Sequence, residues 1–144
     1  MAFPSVRSEV ATNGTTAVTA AVVSLPGTYV AGDTLLVIIR NAATGGFSFP
    51  AGWNELHDAS PDGAAGFTGI AWKEANGTEG TTVTVTQTSS KFAAVAYAIQ
   101  GAADPSLLPP EISTVAVGTT GEPNPTTCTP TGGEIGRASC RERV

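Results

Sequence analysis

The chain is predicted to be all-β, an antiparallel β-sandwich of roughly seven to nine strands with a jelly-roll-like arrangement. Short segments of alternating or β-branched residues recur along it, separated by turn signals at roughly 8 to 12 residue spacing. Only 13% of residues are charged, while Gly numbers 17 and Pro 10, and Thr, Ala and Val fill most of what remains. That mixture suits pleated surfaces and tight turns and interrupts helical periodicity. A third observation is the run Leu35-Leu36-Val37-Ile38-Ile39, the most apolar in the chain, too short for a membrane span and dominated by β-branched residues in its second half. It reads as a buried central strand, and at 144 residues the chain suits one domain with a real core.

Taken in order, Ser5 to Val10 is the first expected strand, and Asn13-Gly14 is a strong hairpin signal after it. Thr15 to Leu25 follows, with Val18, Ala20 and Val22 opposing Thr19, Ala21 and Val23. The first set is slightly the more apolar and is expected to be the dry face. Pro26-Gly27 ends it, Gly32-Asp33 punctuates the start of the central strand, and Leu36 and Ile38 are the expected core residues there. Gly45-Gly46 and Pro50-Ala51-Gly52 form turns, after which Trp53 is expected to enter the core with a large apolar surface.

Glu55-Leu56-His57 reads as a short strand, and the loop from Ser60 to Gly66 is the most turn-rich stretch of the chain. Phe67 to Glu74 alternates, with Ile70 and Trp72 on the expected core face. Thr82 to Thr86 has the cleanest period of two, valines inward and threonines outward. Lys91 to Ile99 is expected to be a strand rather than a helix, because its bulkiest residues, Val95, Tyr97 and Ile99, fall on one alternate face. Prolines at 105, 109 and 110 mark a loop, and Glu111 to Val117 gives a last strand. Residues 1–118 thus make the sandwich domain, and 119–133 an extended linker or the start of a further strand of a truncated protein.

Residues 134–144, EIGRASCRERV, resemble the conceptual translation of a widely used short-read sequencing adapter. They are expected to be a non-native tail, with the natural protein continuing beyond Gly133. Three of the seven basic and two of the twelve acidic residues lie in this tail, so the remainder carries a formal charge of −6. Cys128 and Cys140 are therefore not read as a disulfide. The acidic balance, with a sequence pI of about 4.6, argues against nucleic acid, which needs clustered Lys and Arg. No signal peptide opens the chain and no run approaches a spanning helix, so a soluble protein without membrane insertion is expected.

The order of Gly32-Asp33-Thr34-Leu35, Pro50-Ala51-Gly52-Trp53, Ile70-Ala71-Trp72-Lys73, Thr82 to Thr86 and Tyr97-Ala-Ile-Gln-Gly101 resembles modules of tailed-phage virion and tail proteins and of related extracellular bacterial proteins. The resemblance covers roughly Phe3 to Gly133. It implies a jelly-roll-like sandwich used for assembly, display or attachment, located in the virion or, alternatively, outside the bacterial cell. Its implied partners are other virion proteins or host-surface glycans, in an oligomeric assembly, and it carries over no catalytic residue.

The residues themselves point the same way. The chain holds one histidine, His57, and no G-x-S-x-G, so a hydrolytic triad would need an unidentified serine and Asp58 or Asp33. No enzyme activity and no cofactor are expected. For carbohydrate, Trp53, Trp72 and Tyr97 are the candidate stacking residues, against the alternative that the tryptophans pack inside. For a metal, Asp58 and Asp62 bracket a tight loop that suits a hard cation such as calcium, although their spacing matches no EF-hand and Asp62-Gly63 is an ordinary turn signal.

Overall fold

The computed structural model describes residues 4–60, 66–104 and 107–112. Among these residues there is no helix, and six strands form: β1 (Ser5–Ser24), β2 (Thr34–Asn41), β3 (Phe47–Ser48), β4 (Asn54–Ala59), β5 (Thr68–Glu74) and β6 (Thr82–Gln100). They join one antiparallel sheet in the order β1-β6-β2-β5-β4, with β3 paired to β6 off that row. The all-β, antiparallel expectation is met.

The strand divisions differ from those expected. The Asn13-Gly14 hairpin does not form: both residues lie inside β1 and pair with Ala93 and Phe92 of β6. The expected strands at Thr82–Thr86 and Lys91–Ile99 are likewise one continuous β6. Each long strand supplies ladder hydrogen bonds to the other along its length, and this partner overrides a local turn preference. The expected strand at 111–117 lies outside the described residues beyond Ile112.

The long strands bend. Register shifts interrupt the β1–β6 ladder between Gly14 and Val18 and between Val18 and Ala20. In β6 the buried positions change parity, from 83, 85 and 87 to 90, 92, 94, 96 and 98, with Thr88 and Ser89 both exposed between them. An extra residue of this kind re-aims the strand beyond it. Val83 and Val85 therefore share one buried cluster with Ala94, Ala96 and Ala98 of their own strand, and with Ala21, Val23, Leu35, Val37 and Ile39. Across the bend the amide of Ser24 donates to Thr12 Oγ1 at 3.0 Å, within the same strand.

The bend is held by buried polar groups. Gln87 Nε2 donates to the carbonyls of Val18 and Ser90, each at 3.0 Å, and its Oε1 accepts from Asn41 Nδ2 at 3.1 Å. Asn41 Oδ1 in turn accepts the amides of Ala43 and Phe67. Gln87, Asn41 and Ser90 are all buried, and these bonds satisfy the buried amides while tying them to backbone groups beside the register shifts.

Which face is core differs from the expectation at several strands. On β2 the fully buried side chains are Leu35, Val37 and Ile39, whereas Leu36 and Ile38 are half-buried on the other face. On β1, Ala21 and Val23 are buried and Val22 is 51% exposed, because Ala21 and Val23 pair with the inward Val85 and Val83. The inward valines and outward threonines of β6 are as expected. On β5 the inner positions are Gly69 and Ala71; Ile70 is half-buried and Trp72 sits beside Leu36 on the outer face. The inner face takes small residues because the covering segment comes close: a Cβ at Gly69 would lie 2.6 Å from the Phe47 ring.

Gly69→Ala forces Phe47 or β5 to move and is expected to cost about 1–3 kcal/mol. Urea denaturation checks this, and an unchanged midpoint contradicts the close approach.

Candidate functional site

Trp53 enters β4 from a tight turn in which Gly52 holds φ +89°, a conformation that disfavours a side chain. The Trp53 amide closes the turn on the Pro50 carbonyl at 3.2 Å. The indole is half-buried, packs against the core cluster, and lies 6.2 Å from the Phe49 ring at a 31° tilt. One side of it lines a small open cleft of about 230 Å³ with Pro50, Lys73, Glu79, Thr82 and Thr84. Leu25 and Val83 complete the lining.

The polar side of this cleft is built by the turn between β5 and β6. Glu79 accepts the amides of Asn76 at 2.6 Å and Gly77 at 3.1 Å, and forms an ion pair with Lys73 at 3.3 Å. Asn76 Oδ1 accepts both the amide and the hydroxyl of Thr78. Burial would raise the Glu79 pKa, but the amide bonds and Lys73 outweigh it and hold the carboxyl below its ordinary value. The cleft thus presents an aromatic side, two threonine hydroxyls and a neutralised charge pair. It suits one ring or one side chain of a neutral polar ligand, being smaller than the ~300–1,000 Å³ sites of drug-sized molecules.

The other candidate aromatics lie elsewhere. Trp72 is 8% exposed and Tyr97 half-buried, and both flank Leu36 on the outer face of the sheet. The three aromatics do not form one platform. His57 is half-buried on β4 opposite Ile70. Asp58 is half-buried, and its Oδ1 accepts the amide of Phe47 at 3.0 Å, tying β4 to β3. Asp62 lies outside the described residues. Among the described residues no group of three or more His, Cys, Asp or Glu is placed to hold a metal ion.

Lys73, Glu79, Thr82 and Thr84 were not legible as cleft residues from sequence. The available signal was Glu79 three residues after Asn76 in Asn-Gly-Thr-Glu, a spacing at which a carboxylate can cap the turn amides.

A second shallow depression, of about 390 Å³, lies at the end of the sheet near Arg7, Asp33 and Gln100. Arg7 grips Asp33 with two bonds, Nε to Oδ2 at 2.7 Å and Nη2 to Oδ1 at 3.2 Å, and Oδ2 also accepts the Val30 amide at 3.0 Å. Burial would raise the Asp33 pKa, yet the Arg7 bond, the Val30 amide and the Arg7 charge together lower it. This pair joins the start of β1 to the entry of β2 and is structural.

No protein-family model, curated protein or solved structure matches the chain.

Both lowered carboxyls contribute stability that is full above their ordinary values of 3.8 and 4.5, and that is lost as pH falls through the lower folded values. Glu55 has the opposite sign: burial and then the Asp58 charge raise it, so its contribution is present at low pH and lost as pH rises through the raised value. Thermal melts from about pH 7 to pH 2 are expected to fall steeply in the acid range, and Asp33→Asn with Glu79→Gln to flatten that fall while lowering stability at pH 7. Superimposable profiles for the two proteins contradict the assignment.

Proposed function

We propose that the chain is a non-enzymatic structural or attachment module of a tailed-phage virion, built as a jelly-roll-like β-sandwich. The bend carries the sandwich reading, because the first half of β6 packs across the core from its second half and from β2. The Trp53 cleft carries the attachment reading: a half-buried indole, fixed on a closed turn beside hydroxyls and a neutralised ion pair, is chemistry for binding a neutral polar ring. The virion setting rests on the motif order that resembles phage tail modules.

An extracellular bacterial glycan-binding domain is the second reading, favoured by the same cleft. The two differ in where the polypeptide is found. Mass spectrometry of purified phage particles is expected to detect this polypeptide, and its gene to lie among virion genes; a bacterial operon without virion genes contradicts the first reading. On a glycan array, Trp53→Ala is expected to lower binding at least about tenfold, with a melting temperature lowered by the lost packing but still above that of the assay, so that the variant is read folded. An array without hits for the parent protein contradicts both the second reading and the use of the cleft for sugar.

A further inference from the structure

The outer face of the sheet is apolar where a solvated face would be polar. Cross-strand partners share a face, and the register places Leu36 beside Tyr97 and Trp72, and Ile38 beside Val95 and Ile70. Of these six, Trp72 is buried and the others are half-buried. Ile99 extends the patch to Val6 on β1, which is 54% exposed. Every described strand is either in the row β1-β6-β2-β5-β4 or, in the first half of β6, the second half of β1 and β3, packed on its inner side. None remains to cover the outer face. β2 is apolar on both faces, which is the pattern of a strand covered on both sides, and a contiguous patch of this kind marks an interaction surface.

Charge identifies what covers it. Arg40 and Lys91, both exposed, lie on this face at one end of the patch, on β2 and β6. Glu74 and Glu9, also exposed, lie on it at the other end, on β5 and β1: Glu74 opposite Thr34, and Glu9 opposite Tyr97. The face is therefore positive at one end, negative at the other and apolar between. A two-fold axis in the plane of the interface and perpendicular to the strands reverses the strand direction, so that the positive end of one copy meets the negative end of the other. With the axis over the Ile38–Val95 row, the strand order and register set Arg40 one strand (about 5 Å) to the side of the second copy's Glu74 and about 7 Å from it along the strands, and Lys91 by the same offsets from its Glu9, so that opposite charges face each other at both rims.

We propose that a second copy of this chain stacks on the outer face in this two-fold arrangement, sheet on sheet at about 10 Å. The inference is independent of the Trp53 cleft, which lies on the inner side. Five strands and the alternate side-chain rows give a patch of roughly 20 by 20 Å. Two such faces bury roughly 800–1,000 Å² in total, at the low end for a specific interface, so the dimer is reversible and concentration-dependent.

Sedimentation equilibrium of the full chain from about 1 to 500 μM is expected to show a monomer–dimer equilibrium. Arg40→Glu with Lys91→Glu is expected to weaken it at least about tenfold by setting like charges opposite one another. Adding Glu9→Lys and Glu74→Lys to that variant is expected to restore it to within about threefold, because complementarity is re-made with the signs exchanged. All four positions are exposed, so melting temperatures report that each variant is folded. A chain monomeric throughout overturns the proposal, as does a dimer indifferent to the charge reversals. Zero-length cross-links joining residues 113–144 to the face of the same chain, in a monomer, also overturn it.

Discussion

The buried amide of Gln87 is the interaction on which the fold depends most. Two strands as long as β1 and β6 would make a flat ribbon with both faces wet unless they turned back on themselves. Turning back requires register shifts, and register shifts strip carbonyls and amides of their ladder partners. Gln87 is placed where that happens and spans the gap, with one nitrogen serving the carbonyls of Val18 and Ser90 and its oxygen meeting Asn41. Asn41 extends the bonding to the amides of Ala43 and Phe67. Two bonded side chains, Gln87 and Asn41, thereby link the bend to the end of β2 and to the residue before β5. Once the bend is fixed, Val83 and Val85 can bury against Leu35, Val37 and Ile39, and the core exists.

A second consequence is the distribution of side-chain size. The bend brings Phe47 so close to β5 that only Gly69 fits beneath it, and the inner positions of β6 beyond the bend are Ala94, Ala96 and Ala98. Bulk is displaced to the outer face, where Trp72, Tyr97, Leu36 and Ile38 lie together. A protein packed this way has one face completed by its own strands and another with apolar surface to offer. The two sides of one sheet then differ in chemistry: a polar cleft beside Trp53 on the inner side and an apolar, charge-ended face on the outer.

Much of this was legible in the sequence. The all-β class followed from β-branched runs and turn residues, the Thr/Val alternation at 82–86 gave the correct inward residues, and the strands around 35–39, 55–57 and 67–74 lie where the pattern put them. Two kinds of error have a common cause. Asn13-Gly14 is a local turn signal overruled by pairing to Phe92 and Ala93, a partner nearly eighty residues away. Leu36, Ile38 and Ile70 were assigned inward because large apolar residues usually are, but size alone does not say which side a covering segment leaves narrow. The aromatic half of the cleft was legible in Pro-Ala-Gly-Trp. Its polar half was not, since Lys73, Glu79, Thr82 and Thr84 converge only after the β5–β6 turn closes.

The dependence of the fold on the bend is tested most directly by Gln87→Leu, which keeps volume close and removes every hydrogen bond of the amide. With the bonds from Gln87 to the Val18 and Ser90 carbonyls and from Asn41 Nδ2 to Gln87 all lost, equilibrium urea unfolding is expected to show a loss of about 3 kcal/mol or more, against less than about 0.5 kcal/mol for Thr86→Val at the exposed neighbour. A loss below about 1 kcal/mol for Gln87→Leu would contradict the account, because the bend would then hold without its buried amide.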